Sequence, residues 1–457
     1  MIKSLSILGL RGFETKQTLE FAIPNGEPGS GLTVLVGANN AGKSTAIEAL
    51  RALATNQNIS ISRGKRNEKA GDQVEITANS LTGETFTLKS NYPGTSETQR
   101  SERVPQWAKA LAVPSRRAFS PYFGKNELNR ETYRDQQGLP AARETASSNF
   151  SSRLFEVAKN PREFNKILGR VIEPVPTWTI DLEETGNYFV KIKVGDATHS
   201  SEGAGEGFVS LLFIVDALHA MSNPEMVAID EPELSLYPAV QRRLASLISE
   251  YAANNQILIA THSPYFVDIE ALGAGGRFVR VFRRDQGTEF AQLSPETALR
   301  LHKTSLDMNN PHILGLNARE VFFLEDKVVI VEGQEDVMFY GTALDDIKQE
   351  LQGTIFGWGA GGADKIELIA TVLSELRFKK VVGLVDANKA DLLPALRRQF
   401  EDYHFDAIPA DDVRTKPAAK AREARAGLLD DRNEIVRPEY RDSFSGVIET
   451  VNKYFSA

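Results

Sequence analysis

The nine residues "GANNAGKST" constrain this chain more than any other stretch. Gly37, Gly42, Lys43 and Ser44 satisfy the spacing G-x-x-x-x-G-K-[ST], after the apolar run "LTVLV" and before the helical pattern "STAIEALRAL". A phosphate-binding loop needs that context. Backbone N–H groups around the glycines can curl about a phosphate, and the helix N-terminus adds its positive end. Lys43 is placed to reach the β and γ phosphates, and Ser44 to hold Mg²⁺. Asn39, Asn40 and Thr45 complete the expected nucleotide-binding set. By average composition the bare pattern arises by chance in roughly 1–2% of chains this long. The flanking strand and helix therefore decide the reading in favour of ATP.

Two further apolar strands carry candidate partners. "EMVAIDEPELSLYP" ends in Asp230 and Glu231. A strand-end Asp beside such a loop suits Mg²⁺ coordination, and the adjacent Glu can polarise an attacking water. "ILIATHSP" places His262 at a strand's carboxyl end, the side of a parallel sheet where ligands bind. A lone His there would more often be structural.

A second block of strand–turn–helix grammar begins at "DKVVIVEGQEDVMFYGTAL" and runs through "KKVVGLVDANKADLLPALRRQF". Glu332 ends one apolar strand, Asp336 lies four residues on in the first helical turn, and Asp386 ends another strand with Asn388 after it. Carboxylates at adjacent strand ends can converge on one spot, where oxygen ligands suit Mg²⁺ or Mn²⁺. Such a site could activate water for phosphodiester cleavage. Acidic residues are also favoured at helix starts as caps, so either reading fits each residue taken singly.

In both blocks short Val/Ile/Leu runs alternate with helical periodicity, the pattern of a parallel α/β fold. Between Tyr92 and Tyr188 the text turns Arg- and Glu-rich, which reads as a mainly helical insertion at about 92–188. Turn residues in "LDMNNPHILGLNAREVFF" set the expected division into domains 1–315 and 316–457. The chain has no cysteine, which excludes thiolate metal sites and cysteine nucleophiles. No apolar run has the length of a membrane span and the start lacks a signal-peptide core, so a cytoplasmic protein is the expectation. A net charge of −8 argues against nucleic-acid binding over the whole surface, leaving local basic stretches at "SRGKRNEK", "PSRR" and "RTKPAAKAREAR". Each of these reads as a solvated loop or helix face.

The first block resembles the ATP-binding-cassette ATPases, specifically their SMC/Rad50-like branch, over roughly Met1 to Gly315. By that resemblance Asp230 belongs to the Walker B strand, Glu231 is the hydrolytic base and His262 the switch histidine. "SSEGAGEG" is similar to the superfamily's signature loop, with Ser201 and Gly203 in matching positions and Glu202 and Ala204 departing from it. The resemblance implies a homodimer or higher homo-oligomer, one chain's signature loop covering the other's nucleotide. The second block resembles the Toprim domain: Glu332 matches its glutamate, Asp336 the second acid of E-G-x-x-D, and Asp386 the first acid of D-x-D, where Asn388 replaces the second. Lys416, near Asp411 and Asp412, matches a lysine beside the scissile phosphate.

An ABC-type P-loop ATPase with a helical insertion, followed by a smaller Toprim-like parallel α/β domain, resembles the OLD family (overcoming lysogenisation defect) of ATP-dependent nucleases. Gabija-type antiphage nucleases are similar in layout. The likeness implies ATP, Mg²⁺ (with Mn²⁺ possible at the second site) and DNA as partner. The alternative is an ATPase sensor or scaffold with a degenerate second domain, acting through a separate effector or regulatory protein.

Overall fold

The structure, a computed structural model, describes residues 1–117, 120, 122–136, 149–194, 196–200, 205–219, 221, 225–306, 314–323, 326–416 and 426–457. It divides into two compact units, Met1–Phe290 and Ala291–Ala457.

The first unit is organised around a six-stranded sheet. Its order is Gly287–Gln292, Arg277–Arg284, Leu32–Val36, Gln256–Ala260, Met226–Asp230, Ala110–Val113. The four strands from Leu32–Val36 to Ala110–Val113 pair in parallel, as does Arg277–Arg284 with Leu32–Val36. Leu32–Val36, Met226–Asp230 and Gln256–Ala260 are buried at every position, as expected of parallel strands covered on both faces. The same unit holds a five-stranded antiparallel sheet, with Ile2–Leu8 between Gln17–Glu20 and Glu75–Ser80, then Thr85–Ser90 and Thr98–Arg100. Thr85–Ser90 buries alternate residues, showing one face to the core and one to solvent.

The helix Lys43–Ala54 lies between these sheets, which explains why ten of its twelve residues are buried. Ala46, Ile47, Leu50 and Leu53 join one core with Leu5, Ile7 and Phe86 of the antiparallel sheet and Ala228, Leu258 and Val279 of the central one. The helix opening on Lys43 is thereby fixed against both sheets by burial, each large aliphatic side chain contributing about 1.5–3 kcal/mol.

The interval 92–188 departs from the expected helical insertion. It does contain the helices Arg130–Asp135, Phe150–Ala158 and Pro161–Leu168. It also supplies Ala110–Val113, an outer strand of the central sheet, and Thr177–Leu182 of a separate three-stranded antiparallel sheet. Ala110–Val113 is only four residues long, too short for a periodic signal. The helices are held by ion pairs away from solvent. Arg153 Nε donates to both oxygens of Asp216 at 3.0 and 3.1 Å, and Arg130 and Arg134 meet Glu225.

The second unit carries a four-stranded parallel sheet in the order Thr354–Ile355, Lys327–Ile330, Lys380–Val385, His404–Ala407. Gln334–Ile347 and Pro438–Ser456 cover one face, with Tyr340, Phe444, Ile448 and Phe455 packed on Val329, Val382 and Leu384. Ile366 of the helix Ile366–Glu375 meets the other face at Gly383. The helix Pro295–Ser305 belongs to this unit. Ser294 donates through its N–H and hydroxyl to Glu375 at 2.7 and 2.8 Å, and Thr297 Oγ1 donates to the same carboxylate at 2.5 Å. The division at Phe290/Ala291 thus precedes the boundary expected at 315/316. No described helix is long and apolar enough to cross a membrane.

Candidate functional site

The loop after Leu32–Val36 takes its shape from left-handed backbone at Gly37 (φ 144°), Asn40 (φ 60°) and Gly42 (φ 120°). Glycine is required at the two outer positions. A Cβ on Gly37 would stand 2.0 Å from the Val281 carbonyl oxygen, and one on Gly42 would stand 2.7 Å from Thr288 Cγ2. Asn39 and Asn40 form the exposed crest, while Lys43 and Thr45 are buried.

Lys43 Nζ donates to the carbonyls of Gly37 (2.7 Å) and Ala38 (3.1 Å) and lies 2.9 Å from His262 Nε2. Burial pushes the Lys43 ammonium down to about 8, against the upward pull of Asp230, Glu231 and Glu233. Burial, together with Lys43, also lowers His262, and a Lys43 ammonium, which can only donate, requires His262 Nε2 to be the acceptor of their contact. Ser44 Oγ donates to Asp230 Oδ1 at 3.1 Å. Burial raises Asp230 to about 6, and the Ser44 and Ser115 hydroxyls oppose that rise. Ser44 and Asp230 bring two hard oxygens to one point beside the loop, a donor pair that fits Mg²⁺.

Adjacent strands place these groups. Glu231 N–H donates to the Ala260 carbonyl at 2.7 Å, and Thr261 N–H to that of Leu35 at 3.1 Å. Asp230, Glu231 and His262 therefore emerge at one edge of the sheet, beside the phosphate loop. Two groups invisible to sequence reasoning complete the edge. Glu233 accepts from His262 N–H (2.6 Å) and Thr261 Oγ1 (2.8 Å), fixing the histidine's backbone. Arg117 donates to the carbonyls of Asp230 and Glu231, both at 2.7 Å. Contrary to the solvated surface expected of "PSRR" and "SRGKRNEK", Arg117 and Arg66 are buried. The last stretch, "RTKPAAKAREAR", lies mostly outside the described residues, and so do Ser201 and Gly203.

In the second unit Glu332 and Asp386 follow the carboxyl ends of the paired strands Lys327–Ile330 and Lys380–Val385, and Asp386 N–H donates to Glu332 Oε1 at 2.8 Å. Asp336 Oδ2 accepts from Gly333 N–H at 2.8 Å, so this residue does cap its helix. Asp386 makes no side-chain cap bond to the turn it opens. Asn388 is exposed and donates through Nδ2 to the Asp411 carbonyl at 2.7 Å. Lys416 pairs with Glu335 at 2.6 Å and with Asp412.

The Gly-rich turn after Thr354–Ile355 locks Glu332 from behind. Gly361 and Gly362 N–H groups donate to its carbonyl at 2.9 and 2.8 Å. Gly359, at φ +86°, passes so close that a Cβ would lie 2.6 Å from Gly333 Cα. Burial, then repulsion from Asp336, Glu332 and Asp412, raises the Asp386 carboxyl to about 9. Burial first also raises Asp336 to about 7, and lifts Glu332 above the usual carboxylate range. Among the described residues, no three His, Cys, Asp or Glu side chains are already arranged to hold a metal ion. Carboxylate and amide oxygens of this kind are the donors that a hard divalent cation takes.

A family model described as "AAA domain, putative AbiEii toxin, Type IV TA system" matches residues 32–268, from the strand before the phosphate loop to just beyond His262. The chain belongs to this AAA family. Its first unit is an ATPase domain, and the residues matched include every nucleotide-site residue named above. Several solved structures are similar. An SMC head bound to the C-winged helix domain of ScpA is 20% identical, covering 65% of this chain and 99% of that one, with a TM-score of 0.45. The SMC head domain from Thermotoga maritima is 16% identical over 64% and 99%, with a TM-score of 0.37. A Pyrococcus furiosus SMC head with an extended coiled coil, bound to the C-terminal domain of ScpA, is 16% identical over 66% and 98%, at 0.44. No curated protein matches. The AAA model stops well before Glu332, so the acidic cluster lies outside the family match.

Proposed function

We propose that this AAA-family chain is an ATP-hydrolysing, metal-dependent DNA endonuclease of the OLD type, acting in antiphage defence or DNA processing. One observation carries the nuclease half. Glu332 and Asp386 sit at the ends of neighbouring parallel strands, joined through the Asp386 N–H, amid carboxylates that raise one another.

At the ATP site, the desolvated Lys43 ammonium trades its two carbonyl contacts for the β and γ phosphates. Ser44 and Asp230 would hold Mg²⁺, and Glu231 polarises the attacking water. His262, held by Glu233, meets the same phosphate edge. In the second unit, Glu332, Asp336 and Asp386 would hold Mg²⁺ or Mn²⁺, with Asn388 lending an amide oxygen. A divalent cation there supplies a polarised water and neutralises charge at the scissile phosphate. The Asp386 N–H fixes one Glu332 oxygen and leaves the other to take a proton. Lys416, next to Asp412 and Glu335, offers a cation to the DNA backbone. Nucleotide state would switch a head-to-head homodimer or higher oligomer, shifting the populations of the nuclease site.

A second reading, an ATPase sensor working through a separate effector protein, is favoured by Asn388. Its side-chain Nδ2 is turned to the Asp411 carbonyl, and the residue brings no charge to the cluster. Cleavage of supercoiled DNA with Mg²⁺ or Mn²⁺, with and without ATP, separates the two. Wild type should nick or cut and Glu332→Ala should not. ATP hydrolysis that depends on Glu231 without any cleavage would hand the case to the sensor.

A further inference from the structure

Arg117 is 8% exposed, and its guanidinium reaches four acceptors. Nη1 donates to the carbonyls of Pro114 (2.9 Å) and Asp230 (2.7 Å), Nη2 to that of Glu231 (2.7 Å), and Nε to Ser210 Oγ (2.7 Å). The two central acceptors belong to the metal-side aspartate and the water-polarising glutamate. No other described side chain bonds to both of their carbonyls.

Glu231 needs such a hold. Its φ is 50°, a left-handed conformation that a non-glycine residue keeps only when its surroundings impose it. Both of its backbone polar groups are pinned, the N–H by Ala260 at 2.7 Å and the carbonyl by Arg117. The left-handed step turns the chain out of the strand and sets the direction of the Glu231 side chain. The same carbonyl accepts only one other bond among the described residues, a longer one from Leu234 N–H at 3.2 Å, so releasing Arg117 removes the shorter of its two holds.

We propose that Arg117 is a positioning residue for ATP hydrolysis, a buried strut that holds the Asp230–Glu231 backbone and ties it to Ser210 on the helix Glu206–His219. Arg117 makes no hydrogen bond to the phosphate loop or to Lys43, so it acts through the placement of the Asp230–Glu231 backbone and not through a bond of its own to the loop that cradles phosphate. A planar guanidinium with five donors can serve four acceptors in one plane, whereas a lysine ammonium has three donors from a single point. Charge alone is therefore insufficient. Through Ser210 the strut also makes the pose of Glu231 depend on that helix, giving it a direct mechanical link to the base.

The inference rests on Glu231 being the base, so the test carries Glu231→Gln beside Arg117→Lys, Arg117→Ala and Ser210→Ala. ATPase rates and fluorescent-ATP affinity are measured on the full chain, with melting curves as a check of folding. The expected result for Arg117→Lys is a kcat lowered about 10–100-fold, the cost of a misplacement near 1 Å. KM and nucleotide affinity should stay within about threefold of wild type, since the nucleotide contacts are untouched. Free guanidinium at low millimolar concentration should restore part of the Arg117→Ala rate. Ser210→Ala, which removes one leg only, should lower kcat several-fold and keeps the test open if Arg117→Ala fails to fold. A wild-type kcat in Arg117→Lys, with Glu231→Gln inactive, overturns the strut and leaves the base intact. A parallel loss of nucleotide affinity overturns the positioning role. An active Glu231→Gln removes the base reading itself, and the strut with it.

Discussion

Replacing Asp386 by asparagine should stabilise the protein in metal-free buffer, and the gain should grow with pH. The Asp386 carboxyl moves from an ordinary 3.8 to about 9 in the fold, through burial first and then the carboxylates of Asp336, Glu332 and Asp412. In the unfolded chain it loses its proton near pH 4; in the fold it keeps it until about 9. Between those values the folded state binds the extra proton, so stability falls as pH rises through that window. At about 1.36 kcal/mol per unit, the window up to pH 7.5 gives a ceiling of about 5 kcal/mol. Part of the repulsion belongs equally to Asp336 and Glu332, and the side chain is partly open to solvent, which leaves about 1–3 kcal/mol for Asp386 alone. Urea unfolding of wild type and Asp386→Asn in EDTA, at pH 5.5, 7.5 and 9, reads this directly. The variant's advantage at pH 5.5 should be about half that at pH 7.5, and it should be largest at pH 9. A variant equally or less stable at pH 9 would refute the claim that these carboxylates repel one another at close range.

Two other perturbations have defined sizes. Gly359→Ala places a Cβ 2.6 Å from Gly333 Cα at a φ of +86°, and should cost about 2–3 kcal/mol by denaturant unfolding while loosening the turn behind Glu332. Arg153→Leu leaves Asp216, only 2% exposed, without its ion pair, and should cost about 3–5 kcal/mol; an unchanged midpoint would show that water reaches the pair.

The ATP site was readable because its chemistry is written in short local strings. Gly37 to Thr45 is one loop, and Asp230, Glu231 and His262 each end an apolar strand whose burial the composition alone implies. Arg117 was not readable. It sits 113 residues from Asp230, in a stretch whose two arginines look like surface, and only the fold turns one of them inward. Glu233 was hidden in a loop with no periodicity. The strand Ala110–Val113 is a run of four apolar residues inside charged text, so the interval 92–188 looked helical. For the acidic cluster, order along the chain separated Glu332 from Asp386, but not a cap from a ligand. The structure assigns Asp336 a cap bond to Gly333 and gives Asp386 none.

The central claim is that the carboxylates of the second unit form a site for a divalent cation under control of the AAA domain. Titration calorimetry with Mn²⁺ on wild type beside Asp386→Ala, in the presence of a non-hydrolysable ATP analogue, tests it most directly. The account predicts one class of Mn²⁺ heat in wild type that is absent from Asp386→Ala, beyond the heat of the nucleotide site common to both. Identical isotherms for the two proteins would contradict it.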